Sequence, residues 1–220
     1  MNNRKKFELY VFLSTFSRNL IEVFIPVILY KFGYDLREVI IYFLLSNMFS
    51  LVLSYPLIEF SKKFNNKILT FIGIIAFVSL QIMLANITYS MIYILIISFL
   101  YALYRRGYWI SRRYYNLNVM TKEKIGTTFS IISIVNHLGV VFASYIGAVM
   151  LDYLTVEFVT VISIIIFMLS ILPLSFMKFK HEKNNEKITL IKTLKSIPFS
   201  NLYLFGSYEL LNVIKCFFSL

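Results

Sequence analysis

The sequence predicts an all-α integral membrane protein, and two observations lead to that prediction. Of the 220 residues, 59% are hydrophobic and only 15% are charged, whereas about 25% are charged in soluble domains. The apolar residues fall into six stretches, each near the ~20 residues that a helix needs to cross the hydrocarbon core of a bilayer. The six stretches cover residues 10–30, 39–60, 68–85, 91–108, 128–150 and 158–177.

The polarity of the two ends of the chain indicates how each end is organised. The first stretch is predicted to be a retained helix rather than a signal peptide, because polar groups interrupt its middle and no small-residue cleavage pattern follows it. After a six-helix bundle over residues 1–177, we expect a basic linker at 178–197 and a partial seventh helix at 198–220. Since the last apolar stretch ends at Leu220 without a polar tail, we expect a truncated chain, or a half that assembles with a second half or subunit.

The basic residues are concentrated in alternate segments between the apolar stretches. Most of the 22 lysines and arginines lie near residues 4–6, 62–67, 105–124 and 178–195, and few lie in the intervening loops. By the positive-inside rule, we expect a cytoplasmic N-terminus, and we expect a multi-pass protein of the plasma membrane. This placement explains the net charge of +11 without nucleic acid, and it favours contact with anionic lipid head groups.

Polarity divides the six stretches into two triplets. The first and fourth stretches carry ionisable residues, whereas the third and sixth are almost entirely apolar. Each triplet therefore runs from charged to apolar, which is the weak internal symmetry expected of inverted repeats in secondary transporters. Three helices per repeat place the second triplet upside down relative to the first.

The first stretch contains candidate residues for a transport pathway. Arg18, Asn19 and Glu22 lie within its apolar run, and ionisable groups inside a membrane usually mark such pathways. Arg18 and Glu22 are four residues apart and share a helix face, so a purely structural ion pair is the alternative. Glu22 lies about 18 Å along the helix from Tyr10, near the midplane, where a carboxylate is suited to carry protons.

The fourth and fifth stretches add further candidates. Arg105 lies on the same broad face as Tyr101, Tyr108, Trp109 and Arg112, a face able to hold anions or stack aromatic ligands. Its position near the cytoplasmic interface leaves snorkelling as an equal alternative. For Arg106, Arg112 and Arg113 the sequence favours a topological role.

Asn136 and His137 lie in the middle of the fifth stretch, at a depth similar to that of Glu22. We expect them to be polar groups of the cavity, with hydrogen bonding between helices as the alternative. Asn47, in the second stretch, is predicted to pack against another helix.

The segment after the second stretch reads Pro56-Leu-Ile-Glu-Phe-Ser-Lys-Lys-Phe-Asn-Asn-Lys-Ile-Leu. It resembles the basic loop between helices two and three of the major facilitator superfamily, usually Gly-x-x-x-Asp-Arg-x-Gly-Arg-Arg. Two lysines fit, and the glycines are missing. The resemblance implies a gating role for Glu59, Lys62, Lys63 and Lys67, with either Lys62 or, in a shifted register, Glu59 in place of the family's Asp.

The fifth stretch carries a second part of the likeness. Gly139, Ala143, Ser144, Gly147 and Ala148 resemble a weakened form of the family's Gly-x-x-x-Gly-Pro-x-x-Gly-Gly motif. Small residues at this spacing allow two helices to approach closely. In that family the motif is associated with export by antiport, so the resemblance favours an efflux transporter.

The resemblance covers the whole chain and implies the N-terminal half of such a transporter, with six helices and the start of helix seven. It implies secondary transport of a small solute by alternating access, which Glu22 would couple to protons. The sequence contains no phosphate-binding loop, paired metal-ligand spacing or nucleophile elbow, so we expect no enzyme, cofactor or metal. The alternative is a six-helix capture subunit of an energy-coupling transporter, or another non-catalytic membrane module.

Overall fold

The computed structural model describes residues 3–63, 66–119 and 125–177, and nearly all of these residues are helical. The described part of the chain contains seven helices and no strand. They are α1 (Asn3–Glu22), α2 (Ile25–Lys31), α3 (Leu36–Lys63), α4 (Asn66–Ala85), α5 (Met91–Val119), α6 (Ile125–Tyr153) and α7 (Val156–Ser175). The predicted linker at 178–197 and the predicted seventh spanning helix at 198–220 lie outside the described residues.

The first predicted helix is interrupted where α1 ends and α2 begins. Pro26 lies at the start of α2. Because proline has no backbone N–H and its ring collides with the carbonyl four residues earlier, here that of Glu22, Pro26 favours a break or kink at this position. The prediction of one continuous helix over residues 10–30 was therefore wrong in this detail, and Glu22 lies at the last residue of α1.

Five helical segments are long and apolar enough, by length and composition, to cross a membrane. They are Asn3–Lys31, Leu36–Ser61, Asn66–Ala85, Gly126–Tyr153 and Val156–Ser175. The fourth predicted span, α5, is not among them, since its second half contains four arginines and extends to Val119. An arginine-bearing helix is accommodated in a membrane when the charges face the protein interior, and Arg112 of α5 is buried in this way.

The packing of the helices is reciprocal. Helix α1 packs against α6 and α7, and α5 packs against α3 and α4. The first helix of each triplet thus packs against the second and third helices of the other triplet. This exchange is the arrangement that two related three-helix repeats give, and it places α1 and α5 in the interior of the bundle.

Small residues permit the close crossings. At the crossing of α4 and α5, a Cβ on Gly107 would lie 3.5 Å from the Cα of Gly73. At the crossing of α1 and α7, the Ser17 hydroxyl donates to the Ser163 carbonyl over 2.6 Å, and the Ser163 hydroxyl donates to the Ser17 carbonyl over 2.9 Å. Backbone carbonyls take part in both bonds, so α1 and α7 are held in a fixed register.

Two loops on the side opposite the N-terminus are joined by tyrosines. The Tyr34 hydroxyl donates to the Thr88 carbonyl over 2.7 Å, and the Tyr89 hydroxyl donates to Glu38 Oε1 over 3.0 Å. The bond to Glu38 and the charge of that carboxylate raise the pKa of Tyr89 above its usual range. These contacts connect the start of α3 to the loop before α5.

The outward surfaces of α3 and α6 are apolar. Leu51 and Val52 on α3, and Val141 and Tyr145 on α6, are among the most exposed large hydrophobic side chains of the described residues. A surface of this composition suits the hydrocarbon of a bilayer or a neighbouring helix rather than water. The inward faces carry buried polar side chains, such as Ser46 and Ser50 on α3 and Thr128 on α6.

Candidate functional site

A charged pair lies at the end of α1, directly before the break. Arg18 Nε lies 3.1 Å from Glu22 Oε2, and Arg18 is only 7% exposed. The Tyr101 hydroxyl of α5 donates to Glu22 Oε1 over 2.5 Å. Glu22 therefore neutralises a buried cation on its own helix and also connects α1 to α5.

Two aromatic rings of α5 lie between two arginines. The Arg18 guanidinium carbon is 5.3 Å from the ring centre of Tyr108 and 5.8 Å from that of Trp109. The guanidinium carbon of Arg112 is 5.8 Å and 5.0 Å from the same two centres. Both cations lie within the distance at which aromatic rings attract positive charge, so the rings connect the two arginines into one cluster.

Arg112 is held by neutral groups. Its Nη1 donates to Asn136 Oδ1 over 2.8 Å and to the Tyr108 hydroxyl over 3.2 Å. The Thr15 hydroxyl donates to the same Asn136 oxygen over 3.0 Å. Asn136 thereby joins α6 to both α1 and α5, which is the hydrogen bonding between helices that the sequence left open as the alternative to a role in the cavity.

Arg112, for which the sequence favours a topological role, is buried. The side chain is 6% exposed and points between helices rather than to the interface. The neighbouring Arg113 is exposed. Two successive arginines of one helix therefore have opposite environments, because one faces α1 and α6 and the other faces outward.

Arg105 lies on the same side of α5 as the cluster. Its Nη1 donates to Asn47 Oδ1 of α3 over 3.4 Å. This bond connects α5 to α3, as predicted for Asn47. Together, the face of α5 that holds Tyr101, Arg105 and Arg112 contacts α1, α3 and α6.

Two of the predicted pathway residues are not brought into contact with these groups. Asn19 is buried, and its side-chain amide donates to the Thr15 carbonyl of its own helix over 2.7 Å. His137 is exposed on α6, and its Nδ1 lies 2.7 Å from the Ser133 carbonyl. The adjacent Asn136 and His137 therefore point to different sides of α6, and only Asn136 joins the cluster.

The predicted gating residues lie at the junction of α3 and α4. Glu59 and Lys63 belong to the last two turns of α3, and Lys67 lies in the first turn of α4. Glu59 is half-buried, and both of these lysines are exposed. The Lys62 side chain and residues 64–65 lie outside the described part of the chain.

The small residues of α6 face α1. Ala143 is fully buried, and a Cβ on Gly139 would lie 3.3 Å from the Phe12 carbonyl oxygen. A Cβ on Gly147 would lie only 2.5 Å from the Leu20 carbonyl oxygen. Ser144 and Ala148, the other members of the predicted motif, are half-buried beside this row. The close approach holds α1, with its charged pair, against the helix that carries Asn136.

Sequence reasoning missed the hydroxyl groups around the cluster. The Ser14 hydroxyl lies 3.1 Å from that of Tyr108, and Thr15 contacts Asn136. Ser14 precedes Arg18 by four residues, so the spacing that joined Arg18 to Glu22 could also have placed Ser14 on the same face. Among the residues described, no group of three or more His, Cys, Asp and Glu side chains is arranged to hold a metal ion.

A multi-pass helical bundle with buried charges between its central helices has the architecture of a membrane transporter. Residues 9–220 match the family model of the Major Facilitator Superfamily, and the chain belongs to this superfamily of transporters. The predicted resemblance is thereby confirmed over nearly the whole chain. None of the curated proteins compared with the chain matches it.

Proposed function

We propose that this protein is a secondary transporter that moves a small solute by alternating access and couples that movement to protons through Glu22. Membership of the superfamily supports transport in general. The observation that supports proton coupling is the contact of one carboxylate with Arg18 on its own helix and with Tyr101 on α5. Since α1 and α5 are the leading helices of the two repeats, a change at Glu22 acts on the contact between the repeats.

The chemistry of the pair suggests how protonation acts. An ionised Glu22 neutralises Arg18 and accepts the Tyr101 hydrogen bond. A protonated Glu22 no longer neutralises the arginine, which leaves a buried cation that is costly in a low-dielectric environment. Protonation therefore favours an arrangement of α1 and α5 in which Arg18 finds another partner. The break between α1 and α2, directly after Glu22, allows the two segments to move separately.

The direction of transport and the cellular setting are part of the proposal. The small-residue motif of α6 favours export, and the distribution of basic residues favours a cytoplasmic N-terminus in the plasma membrane. A second bundle, supplied by a C-terminal half or another subunit, would complete the pathway. The superfamily match favours this carrier over a capture subunit of an energy-coupling transporter.

The proposal is tested by transport in proteoliposomes under an imposed pH gradient. The vesicles are loaded with a mixture of labelled carboxylic acids, sugars, amino acids and amines, and each solute is followed with and without the gradient. We expect at least one solute to move faster with the gradient. Glu22→Gln is expected to abolish the dependence on the gradient while leaving exchange between equal solute concentrations.

Glu8→Gln is the matched control. Glu8 is paired with Arg4 at the same spacing on the same helix, with 2.8 Å between Arg4 Nε and Glu8 Oε1, but it lies near the helix start. Its removal is expected to leave the pH dependence unchanged. Equal dependence on the gradient in Glu22→Gln and in the unmodified protein would remove Glu22 from the mechanism, and absence of any solute movement would contradict the proposed function.

A further inference from the structure

We propose that the transported solute is an anion and that Arg112 binds its carboxylate or phosphate group. This inference rests on the proposed function and names the chemical class of its substrate. The site consists of Arg112 on α5, the ring of Trp109 beside it, and Asn136 on α6.

The charge of Arg112 is not balanced by a carboxylate of the described residues. Its partners are an amide oxygen, a phenol and two aromatic rings, and none of them is a carboxylate. No carboxylate from residues 3–63, 66–119 or 125–177 forms an ion pair with it. An arginine buried within a membrane protein usually pairs with an anion. A solute that brings a negative charge would supply the missing partner.

The hydrogen bonds of the Arg112 guanidinium group leave part of the group without a partner among the described residues. Both side-chain hydrogen bonds of Arg112 use the same nitrogen, Nη1. Its Nε and Nη2 donate to no described residue, so one edge of the planar group is open. Two parallel donors on such an edge match the two oxygens of a carboxylate or phosphate.

The Arg112 guanidinium group is held in place by Asn136 and lies beside Trp109. Asn136 Oδ1 accepts hydrogen bonds from both Thr15 and Arg112, which fixes the amide oxygen toward the guanidinium. Trp109 lies beside the guanidinium and, like Asn136, is half-buried. The guanidinium is thus held on one side by hydrogen bonds, and two of its neighbours are partly exposed.

The structural alternative is that Arg112 only joins α5 to α6. A clamp of this kind needs the hydrogen bond to Asn136 but gains nothing from an added anion. The two roles are separated by a measurement of anion binding that does not depend on transport.

Trp109 makes this measurement direct, because it is the only tryptophan of the chain and it contacts Arg112. The purified protein in neutral detergent is titrated with acetate, with inorganic phosphate and with acetamide, a neutral molecule of the same shape as acetate, at constant ionic strength. We expect a saturable change of Trp109 fluorescence with acetate or phosphate and none with acetamide. An equal response to acetamide, or no saturable response to either anion, would overturn the inference.

Variants assign the response to the arginine. Arg112→Gln is expected to weaken anion binding roughly ten- to hundredfold, since a charge-assisted pair of hydrogen bonds is lost. The matched control is Arg113→Gln, which removes the same charge from the next, exposed position and should bind as the unmodified protein does. Should Arg112→Gln fail to fold, Arg112→Lys keeps the charge without the planar fork and is expected to bind more weakly. Unchanged affinity in the folded variant would contradict the assignment.

A lipid head group has the same chemistry as the proposed solute, so a further titration with phosphatidylglycerol separates the two sources. If the lipid saturates the signal and excludes acetate and phosphate, Arg112 is a lipid site and the inference fails. If the free anions bind in the presence of the lipid, it stands. The proposed function fails separately: anion binding that requires Arg112 in a protein that moves no solute would contradict transport alone, and gradient-driven transport of neutral solutes only would contradict the inference alone.

Discussion

Arg18 and Arg112 contact the same two aromatic rings, yet their charges are balanced in different ways. Arg18 has a carboxylate on its own helix, with 3.1 Å between Arg18 Nε and Glu22 Oε2. Among the residues that the structure describes, Arg112 donates to the Asn136 amide oxygen and the Tyr108 hydroxyl, and neither group is a carboxylate. Both are nearly buried, so the difference is not one of exposure. It separates a cation that is paired with a carboxylate of its own helix from a cation that has no carboxylate partner among the described residues.

This difference gives Arg18 and Arg112 separate roles in the proposed mechanism. The Arg18–Glu22 pair changes charge when Glu22 binds a proton, and it contacts α5 through Tyr101. Arg112 keeps its charge and presents it at the junction of α1, α5 and α6. Because Tyr108 and Trp109 touch both arginines, a change at one cation alters the surroundings of the other. In the proposed mechanism, coupling between the proton and the solute would therefore act through the rings of Tyr108 and Trp109.

The largest expected effect on stability comes from breaking the ion pair. Glu22→Gln leaves the buried cation of Arg18 without its carboxylate and is expected to lower the free energy of unfolding by about 3 kcal/mol. Thermal unfolding in detergent, followed by circular dichroism, measures the loss. Glu8→Gln, at the more exposed pair near the helix start, should lower it much less. Equal losses in the two variants would mean that the inner pair is not electrostatically special.

The next largest effect is expected from a substitution that forces α1 and α6 apart. In Gly147→Ala the added Cβ would lie 2.5 Å from the Leu20 carbonyl oxygen, so α1 and α6 must move apart. We expect a loss of about 2 kcal/mol in stability and a weaker response of Trp109 to acetate. Gly126→Ala is the matched control on the same helix, because its Cβ would meet nothing within 4 Å. A stable Gly147→Ala protein would contradict the close crossing.

A smaller effect is expected from neutralising Arg112. Arg112→Gln breaks hydrogen bonds to Asn136 and Tyr108 but leaves no charge without a partner, so it should cost only about 1 kcal/mol. Arg18→Gln leaves the Glu22 carboxylate unpaired and should cost more. The melting temperatures of the two variants, measured side by side, test this order. The reverse order would show that Arg112, not Arg18, has the compensated charge.

The smallest effects come from two hydroxyl groups of α5. Tyr101→Phe removes the hydrogen bond to Glu22, and Tyr108→Phe removes the one from Arg112. Each should cost about 1 kcal/mol or less. The comparison lies in the function: Tyr101→Phe is expected to shift the pH dependence of transport, and Tyr108→Phe the affinity for acetate. A shift of the same quantity by both variants would mean that the two arginines do not have separate roles.

The fold and the site were predictable to different degrees. Composition and apolar run lengths located the long helices, five of which form segments able to cross a membrane, because membrane insertion depends on these local quantities. The Arg18–Glu22 pair was predictable because both residues lie on one helix. The environments of Arg112 and His137 were not, since they depend on which side of α5 and α6 faces the other helices. The charge pattern placed Arg112 at the interface, and depth alone placed His137 beside Asn136.

The most direct test of the account compares acetate binding, reported by Trp109 fluorescence, in two variants of the purified protein. The double variant Arg18→Gln with Glu22→Gln removes the internal pair and leaves the net charge unchanged, whereas Arg112→Gln removes the proposed free cation. We predict that the double variant retains saturable acetate binding and that Arg112→Gln loses it. Loss of binding in the double variant, with binding retained in Arg112→Gln, would contradict the assignment of the two arginines.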